Sequence, residues 1–236
     1  MNKAETIQKE YYSDTANSYD NLHLSATIDT EHDFALSFLS GIIKHLSIES
    51  ILDVGAGTGR ALTYIKMNHP NVKVTGIEPV AQLREIGHKK GIEESELIDG
   101  NANFINFQDK EFDLVCEFGV LHHVERPNIV INEMLRVSKK AIFLSDSNNF
   151  GKGHVWERFL KQGLRFLGLW KSIIFLRTFG KGYFFSDEDG LFYSYSVFNN
   201  YKQIRKSCKS VHILNTKDGE QNLYRTASQI GLLGLK

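Results

Sequence analysis

Hydrophobic and polar residues are distributed along this chain with periods that alternate between those of helices and strands. Apolar residues occupy positions 34, 35, 38, 39, 42, 43 and 46, a spacing near 3.6 residues that predicts a helix with one buried stripe. Short apolar runs predict buried strands. These strands are 50–54, 72–77, 96–98, 112–116, 140–145, 211–215 and 223–235. The helices after the first are 60–67, 80–90, 129–137 and 199–207.

Strands that alternate with helices of this length indicate βαβ units and a parallel sheet covered on both faces. We therefore predict an α/β protein with a doubly wound, Rossmann-like sheet, whose ligand lies beyond the carboxyl ends of the strands. The alternation stops at Asn148 and resumes near residue 199, which indicates a helical insertion after the fifth strand. The expected single domain comprises amino-terminal helices (1–48), a core (49–148), a substrate-side insertion (149–198), and a helix with the last two strands (199–236).

A glycine-rich loop follows the first predicted strand, in the sequence Asp53-Val-Gly-Ala-Gly-Thr-Gly59. Glycines let a backbone turn sharply and approach a ligand closely, and the next helix offers free N–H groups to that ligand. The spacing Gly55-x-Gly57-x-Gly59 differs from the G-x-G-x-x-G of dinucleotide folds, whose longer loop holds a pyrophosphate. The shorter loop favours S-adenosylmethionine, which has no phosphate and presents an amino-acid end to backbone groups.

An acidic residue stands where a ribose would be bound. Glu78 follows the second predicted strand about 20 residues after the loop, where a carboxylate can accept hydrogen bonds from both ribose hydroxyls. Nicotinamide-dependent oxidoreductases share this order of strand, glycine loop and acid, so they remain an alternative function class.

With these motifs, the chain resembles class I S-adenosylmethionine-dependent methyltransferases of the small-molecule, type 11-like group, which includes ubiquinone and menaquinone pathway enzymes. The resemblance covers about residues 11–148. It implies seven strands in the order 3-2-1-4-5-7-6 with the seventh antiparallel, S-adenosyl-L-methionine as cofactor, and an amino-terminal segment that covers the bound cofactor. The product would be S-adenosyl-L-homocysteine.

The resemblance also implies which residues contact the cofactor. The loop would hold the methionine end, Glu78 the ribose, and the side chain and N–H of residues 101 and 102 the adenine. The family usually has Gly-Asp-Ala where this chain has Gly100-Asn-Ala102, but the Asn101 amide oxygen can still accept from the adenine amino group. The full predicted set is Tyr12, Tyr19, Asp53, Gly55, Ala56, Gly57, Gly59, Glu78, Pro79, Asn101, Ala102, Glu117 and Phe118.

Candidate catalytic groups follow the fourth and fifth strands. The family often has paired histidines after the fourth strand, here His122 and His123, and Asp146 follows the fifth. If the acceptor is a hydroxyl, any of these three could remove its proton as the methyl bond forms. If the acceptor is an amine, desolvation suffices.

A metal-assisted reaction is a weaker alternative. Oxygen ligands from Glu117, Asp146 and Asn148 would be needed to hold a magnesium ion. The catechol-type enzymes have an Asp-Asn pair at the latter place, whereas this chain has Asp146-Ser-Asn148. We therefore expect no metal.

Composition excludes some partners and compartments. The chain has 28 basic and 28 acidic residues, so it lacks the overall positive field typical of nucleic-acid binding. The Asn-Pro-Pro-Tyr-like motif of amino-directed DNA methyltransferases is also absent after the fourth strand, so we expect no nucleic-acid partner. Two isolated cysteines, no apolar leader and no run of about 18 apolar residues predict a cytoplasmic protein without a transmembrane segment.

The insertion is basic and rich in aromatic residues. Residues 151–182 contain seven lysines and arginines against the single acid Glu157, a net charge of +6. This segment could lie on an anionic membrane or bind an anionic substrate. Alternatively, it forms lid helices whose apolar sides pack on the sheet. Beyond it, Tyr193 and Tyr195 would point the same way on an extended segment, against an acceptor or into the core.

These observations favour methyl transfer to a small molecule or glycan, with a hydroxyl acceptor preferred. An anionic or lipid-linked acceptor would suit the basic insertion. Two other classes stay open, a non-catalytic S-adenosylmethionine-binding subunit and a nicotinamide-dependent oxidoreductase.

Overall fold

The computed structural model of this chain describes residues 3–23, 31–217 and 222–236. The helices are α1 (Lys3–His23), α2 (Glu31–His45), α3 (Arg60–Asn68), α4 (Ala81–Lys89), α5 (Pro127–Val137), α6 (Val155–Phe166), α7 (Trp170–Arg177) and α8 (Tyr201–Ser207). The strands are β1 (Ser50–Val54), β2 (Lys73–Ile77), β3 (Leu97–Ile98), β4 (Phe112–Phe118), β5 (Ser138–Ser147), β6 (Tyr183–Ser186), β7 (Gly190–Tyr193), β8 (Ser210–Asn215) and β9 (Gln229–Leu235). Short 3-10 helices cover Leu121–His123 and Val197–Asn199.

Seven strands form one sheet in the order β3-β2-β1-β4-β5-β9-β8. The first five strands pair in parallel, and β9 runs antiparallel to both β5 and β8. The doubly wound α/β fold, the strand order and the antiparallel last strand are therefore confirmed. Because β1 and β4 are neighbours whose following helices cover opposite faces, their carboxyl ends meet at a topological switch point, where ligands of such sheets bind.

The central strands are apolar because both sheet faces are covered. Leu52, Leu114, Val115, Ile142 and Phe143 are all completely buried. One face packs against α5 and α8, and the other against α2 and α3. This two-sided burial explains the continuous apolar runs that predicted the strands.

The last strand is shorter than predicted. The apolar run from residue 223 suggested one strand to residue 235, but β9 begins at Gln229. Between them the chain turns, with the Asn222 carbonyl accepting the Thr226 N–H at 2.9 Å and the Asn222 side chain accepting the Arg225 N–H at 2.9 Å. The asparagine side chain offers the backbone a local alternative to the sheet.

The insertion contains α6, α7 and a hairpin formed by β6 and β7. The prediction that lid helices pack their apolar sides on the sheet is wrong for α6, which has no buried residue. Its apolar side faces solvent, and Trp156 and Phe166 are 84% and 90% exposed. The helix is fastened to the body through its polar side instead.

The two tyrosines at the end of the hairpin differ in burial. Tyr193 lies in β7 and is half-buried, whereas Tyr195 is buried and its hydroxyl donates to Asn200 at 3.1 Å. The Tyr195 N–H bonds the Tyr193 carbonyl at 2.8 Å, a tight turn that breaks the extended alternation. Both tyrosines border one further cavity beside α7, so their shared direction stays a prediction.

Candidate cofactor and acceptor site

The glycine loop turns sharply between β1 and α3. The Gly57 N–H donates to the Glu78 carboxylate at 3.0 Å, which ties the loop to the end of β2. Gly57 has φ +55°, and a Cβ there would lie 2.9 Å from the Tyr19 hydroxyl. Only glycine fits this position, because a side chain would be strained and would push away the tyrosine that covers the loop.

The Glu78 carboxylate is buried beside the glycine loop. Its second oxygen accepts the Val80 N–H at 2.9 Å, and the residue is 5% exposed. Burial raises the pKa of Glu78 to about 7, against the opposing effect of the Val80 and Gly57 N–H groups. Burial and the neighbouring Glu78 also raise the pKa of Asp53 to about 7. Each Glu78 oxygen has a second lone pair with which to accept a ribose hydroxyl.

Helix α1 covers the loop. The Thr58 hydroxyl donates to Asp20 at 2.7 Å, and Asp20 also forms an ion pair with Lys90. Tyr12 and Tyr19 stand edge to face at 5.8 Å between ring centroids, and both line the cavities beneath the helix. This placement is the one expected of residues that close over a cofactor.

Two adjoining cavities meet at this switch point. One is lined by the residues predicted for the ribose and adenine, and the other by those predicted for the methionine end. The first contains Tyr12, Tyr19, Gly55, Gly57, Glu78, Pro79, Asn101, Ala102, Phe118 and His123. The second contains Tyr12, Tyr19, Asp53, Gly55, Ala56, Phe118, His122 and His123. The Asn101 side chain already accepts the Asn103 N–H at 2.8 Å, which leaves its oxygen one further lone pair.

Three predicted site residues do not line these cavities. Gly59 stands at the start of α3, with φ +82°. Glu117 is fully buried, and one of its oxygens accepts the Val120 N–H at 2.9 Å while the other has no hydrogen-bond partner. Asp146 lies behind His122 and is 1% exposed. These three residues therefore support the loops around the cavities and do not face the cavities themselves.

We expect Gly59→Ala to destabilise the protein without removing a cofactor contact. A Cβ at Gly59 would lie 2.0 Å from the Ile92 side chain, and the left-handed backbone is itself unfavourable for alanine. The loss should be roughly 1–3 kcal/mol of unfolding free energy, measured by urea denaturation. Gly41→Ala is the matched control, since a Cβ there meets no atom within 4 Å. Equal stability of the two variants would contradict this role.

His122 is held between two carboxylates. Its Nδ1 lies 2.7 Å from Asp146 and its Nε2 lies 3.3 Å from Asp189. Asp146 is itself fixed by the Leu121 N–H at 2.7 Å. Although burial opposes the charged form, the two carboxylates raise the pKa of His122 to about 10. His122 is therefore a cation at neutral pH and cannot accept a proton there.

His123 has the opposite electrostatic character. Burial and the neighbouring charge on His122 lower the pKa of His123, so its imidazole is neutral. Its Nδ1 lies 2.6 Å from the Leu191 carbonyl, and because a carbonyl only accepts, Nδ1 carries the proton. The Gln8 amide nitrogen, 3.0 Å away, is the longer contact to that atom. With Nδ1 as the donor, the lone pair is on Nε2, which lies 3.1 Å from the Tyr12 hydroxyl and 3.5 Å from the Asp189 carboxylate.

The sequence pattern did not identify Asp189 as a site residue. It lies in the turn between β6 and β7, and the fold brings it against both histidines, with 3.5 Å between its carboxylate and His123 Nε2. The signal available was a run of acids before a turn glycine, which is also typical of a solvated hairpin turn. The packing of this hairpin against α1 and the first 3-10 helix shows that Asp189 lies against the histidines and is not an ordinary residue of a solvated turn.

The residues proposed as magnesium ligands are not the ones that lie close enough together to hold a metal ion. Asn148 is engaged in structure, since its amide donates to the Ala227 carbonyl at 2.9 Å and its oxygen accepts from Ser196 at 2.8 Å. Within the described ranges, the group with suitable ligand atoms close together comprises His122, His123 and Asp189, all within 4.8 Å of one another. Two imidazoles and a carboxylate are a ligand set suited to zinc.

The charged state of His122 gives stability a defined pH dependence. The pKa of His122 is raised from 6.5 to about 10 on folding. The contribution of its charge to the free energy of unfolding is therefore complete below pH 6.5 and is lost as the pH rises through 10. We expect the difference in unfolding free energy between wild type and His122→Asn to narrow over this range. Urea denaturation at pH 6.5, 8 and 10 would measure it, and a difference that stays constant would contradict the charge assignment.

The chain is similar to known methyltransferases in sequence and in fold. A protein-family model described as a methyltransferase domain matches residues 52–144, from within β1 to within β5. Residues 52–144 are therefore similar to methyltransferase domains. The match agrees with S-adenosyl-L-methionine as the cofactor expected at the glycine loop and does not support the nicotinamide alternative.

Two curated methyltransferases match about half of the chain. The demethylmenaquinone methyltransferase of Thermotoga maritima is 27% identical over 134 residues, covering 54% of this chain and 58% of that protein. The phosphatidylethanolamine N-methyltransferase of Cereibacter sphaeroides is 34% identical over 107 residues, covering 43% and 51%. The chain thus spans about half the length of the curated relatives it matches.

Solved methyltransferases share the fold over nearly the whole chain. The magnesium protoporphyrin IX methyltransferase of Synechocystis, solved with bound S-adenosylmethionine, has a TM-score of 0.62 at 12% identity and covers 100% of this chain and 98% of that one. A possible histamine N-methyltransferase of Thermotoga maritima has a TM-score of 0.59 at 17% identity, covering 97% and 99%. At these identities the likeness concerns the fold alone.

Proposed function

We propose that this protein transfers the methyl group of S-adenosyl-L-methionine to a hydroxyl group of a small molecule or glycan. The observation that carries the proposal is the position of His123, whose ring lines both cavities and whose Nδ1 lies 2.6 Å from the Leu191 carbonyl, which leaves Nε2 to accept a proton. An acceptor hydroxyl that replaces the Tyr12 hydroxyl beside Nε2 would give its proton to this nitrogen. A neutral hydroxyl is a weak nucleophile, so a base that takes its proton as the bond to the methyl carbon forms would assist the transfer.

The cofactor would be held by groups of this chain that already surround the cavities. Glu78 would accept the ribose hydroxyls, residues 101 and 102 would face the adenine, and the loop N–H groups with Asp53 would meet the methionine end. When bound, S-adenosyl-L-methionine supplies an electrophilic methyl group that needs only a nucleophile placed in line with it. Tyr12 and Tyr19 would exclude water above it.

A further cavity of about 380 Å³ adjoins His122 and extends under the insertion. This volume falls in the range of small-molecule sites. Trp170 and three other aromatic side chains line it, and rings of this kind stack on sugars or aromatic acceptors. Apart from His122 and Asp189, whose charges offset each other, its charged lining is Lys152, Arg177 and Glu188. Two cations against one acid favour an acceptor with an anionic group.

Turnover with matched acceptors would test this function. S-adenosylhomocysteine formation would be measured with phenols, sugar hydroxyls and sugar phosphates, each beside an amine of similar shape, and products would be checked by mass spectrometry for one added methyl group. Methylation of hydroxyls at a higher kcat/KM than of amines is expected. Preference for amines would overturn the hydroxyl assignment, and cofactor binding without turnover would identify a non-catalytic subunit.

A further inference from the structure

We propose that α6 and α7, with the loops beside them, form a surface by which this protein docks on anionic lipid bilayers. The inference is independent of the acceptor and of catalysis. Helix α6 has an unusual orientation. A helix that packs on a protein core turns its apolar side inward, whereas α6 turns its polar side inward and its apolar side to solvent.

The polar side of α6 faces the body of the protein. The Lys161 ammonium group donates to the carbonyls of Asn149 and Lys152, each at 2.6 Å, and burial lowers the pKa of Lys161. The Gln162 amide donates to the carbonyl of Phe150 at 3.1 Å, and the Arg165 guanidinium lies 4.2 Å from the centre of the Phe150 ring. These contacts fix the rotation of the helix.

The apolar side of α6 is consequently turned to solvent. Trp156, Phe159, Leu160 and Phe166 lie on one side of a helix with 3.6 residues per turn, and each is more than half exposed. Val155 in α6 is also exposed. In α7 and the loops beside it, the exposed apolar side chains are Leu167, Leu169, Phe175, Leu176 and Phe179, and we call the whole group the apolar patch. Single exposed apolar side chains are ordinary, but ten of them within residues 155–179 are typical of an interaction surface.

The charge of this surface selects the partner. Residues 151–182 carry a net charge of +6, and the rest of the chain therefore carries −6. Lys171, Arg177 and Lys181 are exposed on the same segment as the apolar group. A second copy related by a two-fold axis would bring two positive patches together, which is unfavourable. An anionic bilayer attracts the cations and accepts the aromatic and aliphatic side chains at its interface.

The binding would be peripheral. No helix among the residues that the structure describes is long and apolar enough to span a bilayer. Helix α7 belongs to both features, because Trp170, Ile174 and Arg177 line the cavity beside His122, whereas Phe175 and Leu176 are exposed in the patch. Docking would therefore place the acceptor cavity close to the lipid surface.

Vesicle flotation would test the docking surface. The full chain is expected to float with vesicles of equal parts phosphatidylglycerol and phosphatidylcholine, and less with phosphatidylcholine alone or at high salt. The double variant Phe159→Asp, Phe166→Asp should reduce binding roughly tenfold or more, since both side chains would otherwise enter the interface. Its control is Met67→Asp on α3, where the side chain is 78% exposed but lies outside the patch.

Charge-reversal variants separate the electrostatic contribution. Lys171→Glu with Lys181→Glu should weaken binding to the anionic vesicles, whereas Lys44→Glu with Lys206→Glu, which changes the net charge equally, should have a smaller effect. In a Trp170→Phe background Trp156 is the single tryptophan, and its emission should move to shorter wavelength when vesicles are added.

Three results would overturn the proposal. They are wild-type protein that ignores the anionic vesicles at low salt, a Phe159→Asp, Phe166→Asp variant that binds as well as wild type, and a wild-type dimer in light scattering that this variant converts to a monomer. The last result would assign the patch to contact between copies of the chain. Circular dichroism would check that each variant is folded, and folding should be retained because no residue of α6 is buried.

Discussion

Replacing Glu78 with alanine should weaken the binding of S-adenosyl-L-homocysteine roughly 100-fold. The carboxylate would accept both ribose hydroxyls, and hydrogen bonds to a charged acceptor contribute about 1.5–3 kcal/mol each. The same oxygens hold the Gly57 and Val80 N–H groups, so the loop would also lose its anchor. Isothermal titration calorimetry would measure the dissociation constant.

A second buried carboxylate supplies the control for Glu78. Asp113 is 6% exposed, accepts the Glu49 N–H at 2.9 Å and lies at the opposite end of the sheet, at the start of β4. Asp113→Ala should lower thermal stability while leaving S-adenosylhomocysteine affinity within about threefold. If Glu78→Ala bound the ligand as tightly as wild type, the ribose assignment would be wrong.

Affinity for S-adenosylhomocysteine should also depend on pH near neutrality. Burial raises the pKa of Glu78 to about 7, and only the ionised carboxylate can accept from both ribose hydroxyls with both oxygens. Binding should therefore tighten as the pH rises from 6 to 8. Calorimetry over this range would detect the change. A dissociation constant that does not vary with pH would show that Glu78 has the same charge in the free and the ligand-bound protein.

Replacing His123 with glutamine should lower kcat for a hydroxyl acceptor by roughly 10²–10⁴-fold, the range of general-base contributions. The affinity for S-adenosylhomocysteine should change little, because the predicted role is toward the acceptor. His69→Gln is the control, since this histidine contacts Ser40 and lies outside the cavities. A kcat within about threefold of wild type in His123→Gln would exclude the base assignment.

The pH profile and a chelator would separate two roles for the histidine pair. A base on His123 should give a kcat that falls as the pH drops below its pKa, which lies under 6.5 because burial and His122 lower it. Turnover that is lost with EDTA and restored by zinc would instead assign His122, His123 and Asp189 to a metal site. The base assignment predicts no effect of EDTA.

The cofactor site could be predicted from the sequence because the residues that form it belong to short segments with recognisable local patterns. The apolar runs of β1 and β4 are continuous since both faces of the sheet are covered, and the loop from Gly55 to Gly59 and the acid at Glu78 occupy consecutive βα units. In a parallel sheet, neighbouring strands bring their carboxyl ends to one edge. Local order along the chain therefore predicted which residues would come together, and the structure places most of them around two cavities.

Only the tertiary structure distinguished the two histidines and oriented the insertion. His122 and His123 are adjacent in sequence, yet the carboxylates of Asp146 and Asp189 make one a cation, and burial beside that cation keeps the other neutral. The basic and aromatic composition of residues 151–182 likewise suggested a lipid or substrate surface or lid helices, but it could not give the rotation of α6, because a sequence pattern does not tell which face of a helix the body covers. Contacts from Lys161 and Arg165 to the body decide that the apolar face is outside.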